Sequence, residues 1–572
     1  MASLECAAQN VPVQWTFHAA CGHPASANTI ELDAVVTEPG GRSLRVPGFW
    51  GGGDLWHVRY ASDQVGRHTF RTECSDATDA GLHAVAGCVD IVAYRGDNVL
   101  YRHGAVRVAA DLRHFQHADG TPFFWLGDTW WMGLCRRLRF PDEFQALIAD
   151  RVAKGFTVVQ IVAGLYPDMP PFDERGANEQ GFPWTEDYGH IRPEYFDAAD
   201  RRIVRLVESG LVPCIVGAWG YFLPWLGVAR ARRHWRNLVA RYGAYPVLWC
   251  VAGEANLPYY LTPGFPFDDR QQAAGWTDVA RYVREIDPFR RPLSVHPTGL
   301  GALSARGATT DPAVLDFDML QTGHGRQAHE ALPPAIRTLR ASRAAEPAMP
   351  VLNSEVSYEA LFGAIPAGIQ RLVFWASMLS GAAGHTYGAN GIWQVNRRAA
   401  PHGPSPHGAD YGTIPWDEAM ILPGSGQLGL AKAFLQRLPW HTMEPHPEWA
   451  CFPGGPLLTE ENVPYAAGIA EVVRVIYAPC RQPLQVRDIE PAVRYRATLF
   501  DPASGEESSA GAVRPDPDGT WNCVPAAGSH PDWVLLLEAV DAASAGDRSG
   551  GPRRTAVSGA GPGPERPSDA KP

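Results

Sequence analysis

No stretch of this chain approaches the roughly 20 uninterrupted apolar residues that a membrane-spanning helix needs. The opening Met-Ala-Ser-Leu-Glu-Cys lacks a basic region followed by an apolar run. It therefore predicts no secretory signal, and the expected compartment is the cytoplasm. Basic charge is not in excess either. The formal net charge is −11, which argues against a nucleic-acid partner and against an anionic membrane surface. Ten cysteines are scattered from Cys6 to Cys523 without a CxxC pair or zinc-finger spacing. Free thiols are expected, and neither a metal nor a cofactor. A neutral or mildly polar substrate fits this balance best.

What is present is enough apolar material for several cores. At 572 residues, 45% hydrophobic and 19% charged, the chain is too long for one ordinary domain and too apolar to be disordered. Residues 1–95 carry short alternating runs separated by Gly, Pro and Asp, among them Thr29 to Val36, Trp56 to Tyr60 and His68 to Glu73. They predict an antiparallel β-sandwich. Gly51, Gly52 and Gly53 fall in a turn with no helix behind it, so they are not a phosphate cradle. A hairpin from Gly104 leads through Asp119-Gly120 into a different rhythm. Eight short apolar runs then alternate with amphipathic stretches: Phe123 to Leu126, Thr157 to Ala163, Val212 to Trp219, Val247 to Gly253, Pro292 to Pro297, Phe317 to Thr322, Val351 to Ser354 and Gly384 to Tyr387. Helical spacing is clear in Phe144, Leu147, Ile148 and Val152, stopped by Gly155, and in Tyr195, Ala199, Ile203, Leu206 and Val207, stopped by Gly210. Leu361 to Leu379 and Leu428 to Leu438 read as the last two helices. The fold class predicted is α/β: a (β/α)8 TIM barrel over 96–440, with every strand followed by a helix. A second antiparallel β-sandwich follows at 441–541, and a Gly-, Pro- and Ser-rich disordered tail at 542–572.

A barrel of this kind gathers its chemistry where the strands end. The fourth strand runs into Glu254, with Asn256 just beyond, and the seventh into Glu355. Strands four and seven face each other across the mouth, so the two carboxylates can flank one bond. Cleavage of a glycosidic bond needs such a pair, one carboxylic acid to protonate the departing oxygen and one carboxylate to attack the sugar carbon. Glu355 is expected as nucleophile and Glu254 as acid/base, its proton held by the neighbouring negative charge. The remaining strand ends offer hydroxyl-binding and stacking groups for a sugar: Asp128, Trp130 and Trp131 after the first strand, Gln160 on the second, Trp219 and then Tyr221 after the third, His296 after the fifth, His324 after the sixth, Tyr387 and Trp393 after the eighth. Each of these residue types also serves ordinary cores. The segment Tyr166 to Arg192, bearing Asp168, Asp173, Trp184, Asp187 and Tyr188, is expected to shape the cleft.

Three stretches carry a family resemblance. Asp119-Gly-Thr-Pro-Phe-Phe-Trp-Leu-Gly-Asp-Thr-Trp-Trp, Ala153-Lys-Gly-Phe-Thr-Val-Val-Gln and Gly384-His-Thr-Tyr-Gly-Ala-Asn-Gly-Ile-Trp-Gln resemble the apiosidase-like barrel family, glycoside hydrolase family 140 and its relatives. Val46-Pro-Gly-Phe-Trp and Trp56-His-Val-Arg-Tyr resemble the β-sandwich that precedes such barrels. The resemblance implies a retaining glycosidase fold with catalytic carboxylates after strands four and seven, which Glu254 and Glu355 match. Two features depart from it. Gly253 stands where the wider clan has Asn, and apiosidases look to carry Asp where this chain has Glu254. The resemblance thus implies the reaction class and not the sugar.

Other motifs are weaker. Gly424-Ser-Gly-Gln-Leu-Gly429 matches a dinucleotide fingerprint, but with no parallel strand before it the motif reads as the loop entering the last barrel helix. His402, His407 and Asp410 lie in a Pro/Gly-rich loop without metal-ligand spacing. Ser354 lacks a G-x-S-x-G elbow. Two alternatives to a retaining hydrolase stand: a carbohydrate-binding protein on a degenerate barrel, or an inverting hydrolase or transglycosylase. The sugar, exo or endo action and oligomeric state are not legible.

Overall fold

A computed structural model describes residues 5–21, 30–258, 268–301, 303–403, 411–453, 459–525 and 531–540. The predicted tail, His407 and Asp410 lie outside them. Eight parallel strands form one sheet: β1 Trp125–Thr129, β2 Val158–Val162, β3 Val212–Val216, β4 Leu248–Cys250, β5 Leu293–Ser294, β6 Asp318–Gln321, β7 Val351–Glu355 and β8 Gly384–Tyr387. Their order, β5-β4-β3-β2-β1-β8-β7-β6, curls into a barrel that is closed everywhere except between β5 and β6. That seam is held by single bonds instead of a ladder. Ser294 Oγ donates to Phe317 O (2.7 Å), Asp316 N donates to Leu293 O (2.8 Å), and Leu293 N donates to the Asp316 carboxylate (2.9 Å). Every residue of the eight strands is buried, as expected of parallel strands covered on both faces.

The covering helices are α1 Asp142–Ala153, α2 Pro193–Glu208, α3 Leu223–Tyr242, α4 Asp269–Ile286, α5 Ala328–Ala344, α6 Ala367–Met378 and α7 Pro423–Gln436. In α2 the residues Tyr195, Ala199, Ile203, Leu206 and Val207 are buried on one stripe. Gly155 and Gly210 stand just past the ends of α1 and α2 at φ +77° and +81°, where glycine carries no Cβ penalty. One expectation fails. Between β5 and β6 the described residues hold no α-helix, only a single 3₁₀ turn, Pro312–Val314. Pro292, Pro297 and Pro312 punctuate this segment, and proline both removes a donor and restricts the residue before it.

The N-terminal strands form two sheets, of five and three strands, around a core of Trp15, Leu32, Val36, Trp56 and Val58. The sandwich is not purely antiparallel, because Glu5–Ala8 pairs in parallel with Ala86–Val92. A three-stranded meander of Val106–Val108, Phe115–His117 and Pro122–Phe123 closes the barrel floor. Its Phe115 ring meets Trp125 at 5.3 Å and Phe317 at 5.4 Å. After Trp440 come a six-stranded and a three-stranded sheet. They are joined to α6 by the bidentate pair Arg371–Asp532 (2.6 and 2.7 Å) and by Trp375 stacked on Tyr477 at 5.9 Å. Among the described residues no helix is long and apolar enough to cross a membrane. All ten cysteines are unpaired.

Candidate active site

The strand ends surround a cavity of about 490 Å³ at the C-terminal mouth of the barrel. Glu254 and Glu355 both line it. Glu254 sits four residues past β4 at φ +42°, a left-handed conformation that costs a non-glycine residue of the order of 1–3 kcal/mol. The turn is held from both sides: Ala255 N donates to His296 O, Leu257 N to Glu254 O (both 2.9 Å), and Gly220 N to Gly253 O (2.6 Å). Gly253 has a steric reason, since a Cβ there would collide with the Trp219 ring. Trp219 lies against this glycine and donates its Nε1–H to Glu254 Oε2 (3.1 Å).

Glu355, the last residue of β7, is 5% exposed. His324 Nε2 lies 3.0 Å from its Oε1 and His296 Nε2 lies 3.4 Å from its Oε2. Burial holds His296 below its ordinary pKa against the opposing pull of Glu355. The two glutamates are tied through one side chain that the motif reading passed over. Gln321, at the end of β6, donates from Nε2 both to Glu254 Oε1 (2.9 Å) and to Glu355 Oε1 (3.0 Å). Two such bonds to one nitrogen keep the facing oxygens within about 6 Å of each other, the sum of their lengths. The Gln321 Oε1 is buried with no partner among the described residues. Burial first, then the charge of Glu355, raises the Glu254 carboxyl to about 8, with Asp168 adding to the effect.

Of the other predicted residues, Trp131, Trp219, His324 and Trp393 line the cavity. Trp131 donates to the Tyr358 hydroxyl (2.8 Å) and meets Trp219 edge-on at 5.5 Å. His296 lies fully buried beneath Glu355. The remainder are not on the cavity wall. Asp128 is buried in an ion pair with Arg151 of α1 (2.6 Å) and accepts from Trp130 Nε1 (2.7 Å), while the Trp130 ring packs edge-on against Phe144. Both hold α1 to β1. Gln160 donates to Ser354 O (3.1 Å) inside the barrel, and Tyr387 donates to Glu359 (2.6 Å). Tyr221 donates to Tyr166 O (3.0 Å), and Asn256 accepts from Thr298 N (3.1 Å), tying two mouth loops together. Of the 166–192 segment, Pro167 and Asp168 reach the cavity. Asp173 pairs with Arg175, Asp187 closes a turn on Gly189 N, and Trp184 packs against His234.

Among the residues missed are Gln321, Tyr358, Leu257, Leu300, Leu361 and Tyr411. Gln321 falls inside the run Phe317 to Thr322, where nothing local singles it out. The glycine-rich motif is not a loop: Pro423 opens α7 and the glycines lie within it. Gly424 N donates to the Glu359 carboxylate (3.0 Å), and Cβ atoms at Gly424 and Gly429 would strike Glu359 and the Lys154 carbonyl. These glycines serve close packing. The His402 ring packs on Trp393 (5.6 Å), and among the described residues no three metal-ligating side chains come together.

Two glutamates bridged by one amide, beside aromatic rings in a cavity at the mouth of a (β/α)8 barrel, are groups of the kind that glycoside cleavage uses. The model of the apiosidase-like catalytic domain matches residues 109–442, and the chain belongs to that family. A domain of unknown function (DUF5060) matches residues 9–75. No curated protein matches the chain. Among solved structures, a glycoside hydrolase family 5 protein from Bacteroides vulgatus ATCC 8482 is 22% identical with a TM-score of 0.63, over 77% of this chain and 94% of that one. A second protein from the same organism is 16% identical with a TM-score of 0.66, over 94% and 100% of the two chains. At these identities the likeness is one of fold.

Proposed function

We propose that this glycosidase cleaves an O-glycosidic bond of a small glycoside or oligosaccharide by double displacement with retention. Glu355 attacks the anomeric carbon while Glu254 gives its proton to the departing oxygen, leaving a glycosyl ester on Glu355. Glu254, now a carboxylate, takes a proton from water. The water oxygen bonds to the same carbon as the ester bond breaks, and Glu254 is protonated again. The observation that carries this reading is the Gln321 amide shared by both carboxylates. It keeps their facing oxygens closer together than the roughly 6.5–9.5 Å between carboxyl groups that leaves an inverting pair room for an intervening water. The raised Glu254 carboxyl is suited to start the cycle protonated. Trp131, Trp219, Trp393 and His324 would contact the sugar.

A screen of the purified protein against aryl glycosides and oligosaccharides, beside Glu254→Ala and Glu355→Ala, tests this. Turnover is expected to collapse in Glu355→Ala. In Glu254→Ala it should fall by about 10²–10⁴-fold, the usual contribution of a general acid. The first product anomer, read by NMR, should match the substrate. Activity surviving both substitutions, or an inverted first product, would overturn the mechanism. Sugar binding without any turnover would mean a binding-only barrel.

A further inference from the structure

Paired residues on neighbouring strands point their side chains to the same face, and a slip of one residue reverses that. Leu320 of β6 pairs with Asn353 of β7, yet Gln321 pairs with Glu355. Ser354 is thus the extra residue of a β-bulge. Its Oγ donates to Leu320 O (2.8 Å) and its carbonyl accepts from Gln160 Nε2 (3.1 Å), which hold it in place. In an unbroken ladder Gln321 would pair with Ser354, and Glu355 would point to the other face. The bulge brings the amide against the glutamates. There the amide is fixed. Gln321 is buried, its backbone N–H donates to Leu303 O (3.1 Å), and a Cβ on Gly299 would fall 3.6 Å from its Cδ and Nε2. Nε2 carries two hydrogens, and the bonds to Glu254 and Glu355 use both. Oε1 is left buried without a partner among the described residues, an arrangement that packing alone disfavours.

Hydrogen bonds donated to a carboxylate favour its charged form. Burial, the charge of Glu355 and that of Asp168 raise Glu254, while the bonds from Gln321 and Trp219 oppose them. The other titratable groups here, His296, His324 and Tyr358, lie around Glu355. In the proposed cycle the balance changes once Glu355 becomes a glycosyl ester. Its charge is gone, and the two N–H donors remain on Glu254. Glu254 has just given up its proton and must not regain one from solvent before water arrives. Resting on the retaining reading above, we propose that Gln321 is a positioning residue for the second step. It keeps Glu254 a carboxylate, ready to take the proton of water as the water oxygen bonds to the anomeric carbon and Glu355 departs.

The test uses the dinitrophenyl glycoside of whichever sugar the screen identifies. Its leaving group needs no proton, so the second step limits turnover. In Gln321→Met the steady rate should fall by about tenfold or more behind a stoichiometric burst of dinitrophenolate. The acidic limb of kcat, which reports Glu254 in the glycosyl-enzyme, should move up by about one pH unit, as loss of one bond to a charged group implies. Azide attacks the anomeric carbon without a base, so it should restore turnover in the variant. If Gln321→Met does not fold, Gln321→Glu, of the same shape but with an acceptor in place of the donor, should move the limb the same way. A limb left at the parent's pH, or a slow variant that azide does not rescue, overturns the inference and leaves the glycosidase reading intact. A parent that hydrolyses no glycoside overturns the catalytic reading, and this inference with it.

Discussion

At the scale of single residues, the site depends on where one proton sits. Glu254 is raised to about 8 by burial and by the charge of Glu355, and in the proposed mechanism its protonated form serves the leaving group. The kcat/KM should therefore decline as the pH rises through about 8. Replacing Glu355 by Gln removes the second of the two causes, so a ¹³C-NMR titration of Glu254 should move to lower pH in that variant. An unmoved titration would mean that the two carboxyls do not interact. The same shift has a stability consequence. A carboxyl that binds its proton more tightly in the folded state contributes stability that is complete below its unfolded value of 4.5. That stability is lost as the pH climbs toward 8. Glu254→Gln should accordingly lose less thermal stability than the parent between pH 5 and 9, measured by Tm. Trp219 bonds Glu254, and Gln321 bonds both glutamates. The bond from Trp219 requires the bare backbone of Gly253.

At the scale of elements, several residues with the chemistry of a site hold helices to strands. Asp128 and Arg151, both fully buried, clamp α1 to the end of β1, and Arg151 also reaches Met420 O (3.0 Å). Asp128→Ala leaves a buried guanidinium short of its main partner. It should cost about 3–5 kcal/mol, read by denaturant unfolding, whereas replacing both partners by apolar residues should cost less. Helix α7 shows the same principle in its glycines. Its first turn offers the Gly424 N–H to both oxygens of Glu359, so the group it holds is an internal carboxyl and not a phosphate. The missing helix between β5 and β6 also belongs to this scale. A β5 of two residues leaves a short seam, and side-chain bonds from Ser294 and Asp316 span it.

At the scale of the whole molecule, the sandwiches brace the barrel's outer surface. The N-terminal one docks through Arg59, which donates to Asp200 of α2 (2.5 Å) and to Arg241 O (2.8 Å), with Arg241 itself stacked over Phe49 at 4.3 Å. The C-terminal one docks through Arg371 and Asp532, both 5% exposed at the side chain. Asp532→Ala should destabilise the protein by about 3 kcal/mol, because it strands a buried arginine. Its kcat/KM at a permissive temperature should remain that of the parent, since the contact lies on α6 and outside the mouth cavity. A fall in kcat/KM without loss of stability would instead mean that this sandwich communicates with the site.

Much of this protein follows from local pattern alone. Alternation of buried strands with amphipathic helices, the glycine stops after α1 and α2, and the position of Glu254 and Glu355 at strand ends are properties of short segments, and short segments carry them in sequence. Whether a strand-end side chain faces the cavity or the wall is different. Asp128, Trp130, Gln160 and Tyr387 have the residue types of a sugar pocket, and their neighbours turn them into core, because a buried polar group takes whichever partner packing brings near. Gln321 and Leu300 were invisible for the converse reason. One matters through a nitrogen shared by residues 67 and 34 positions away, the other through the wall it completes. Periodicity and residue type determined the barrel and its acidic pair. Only the tertiary structure decided which side chains meet there, since distances between strand ends are set by closure of the barrel and not by separation along the chain.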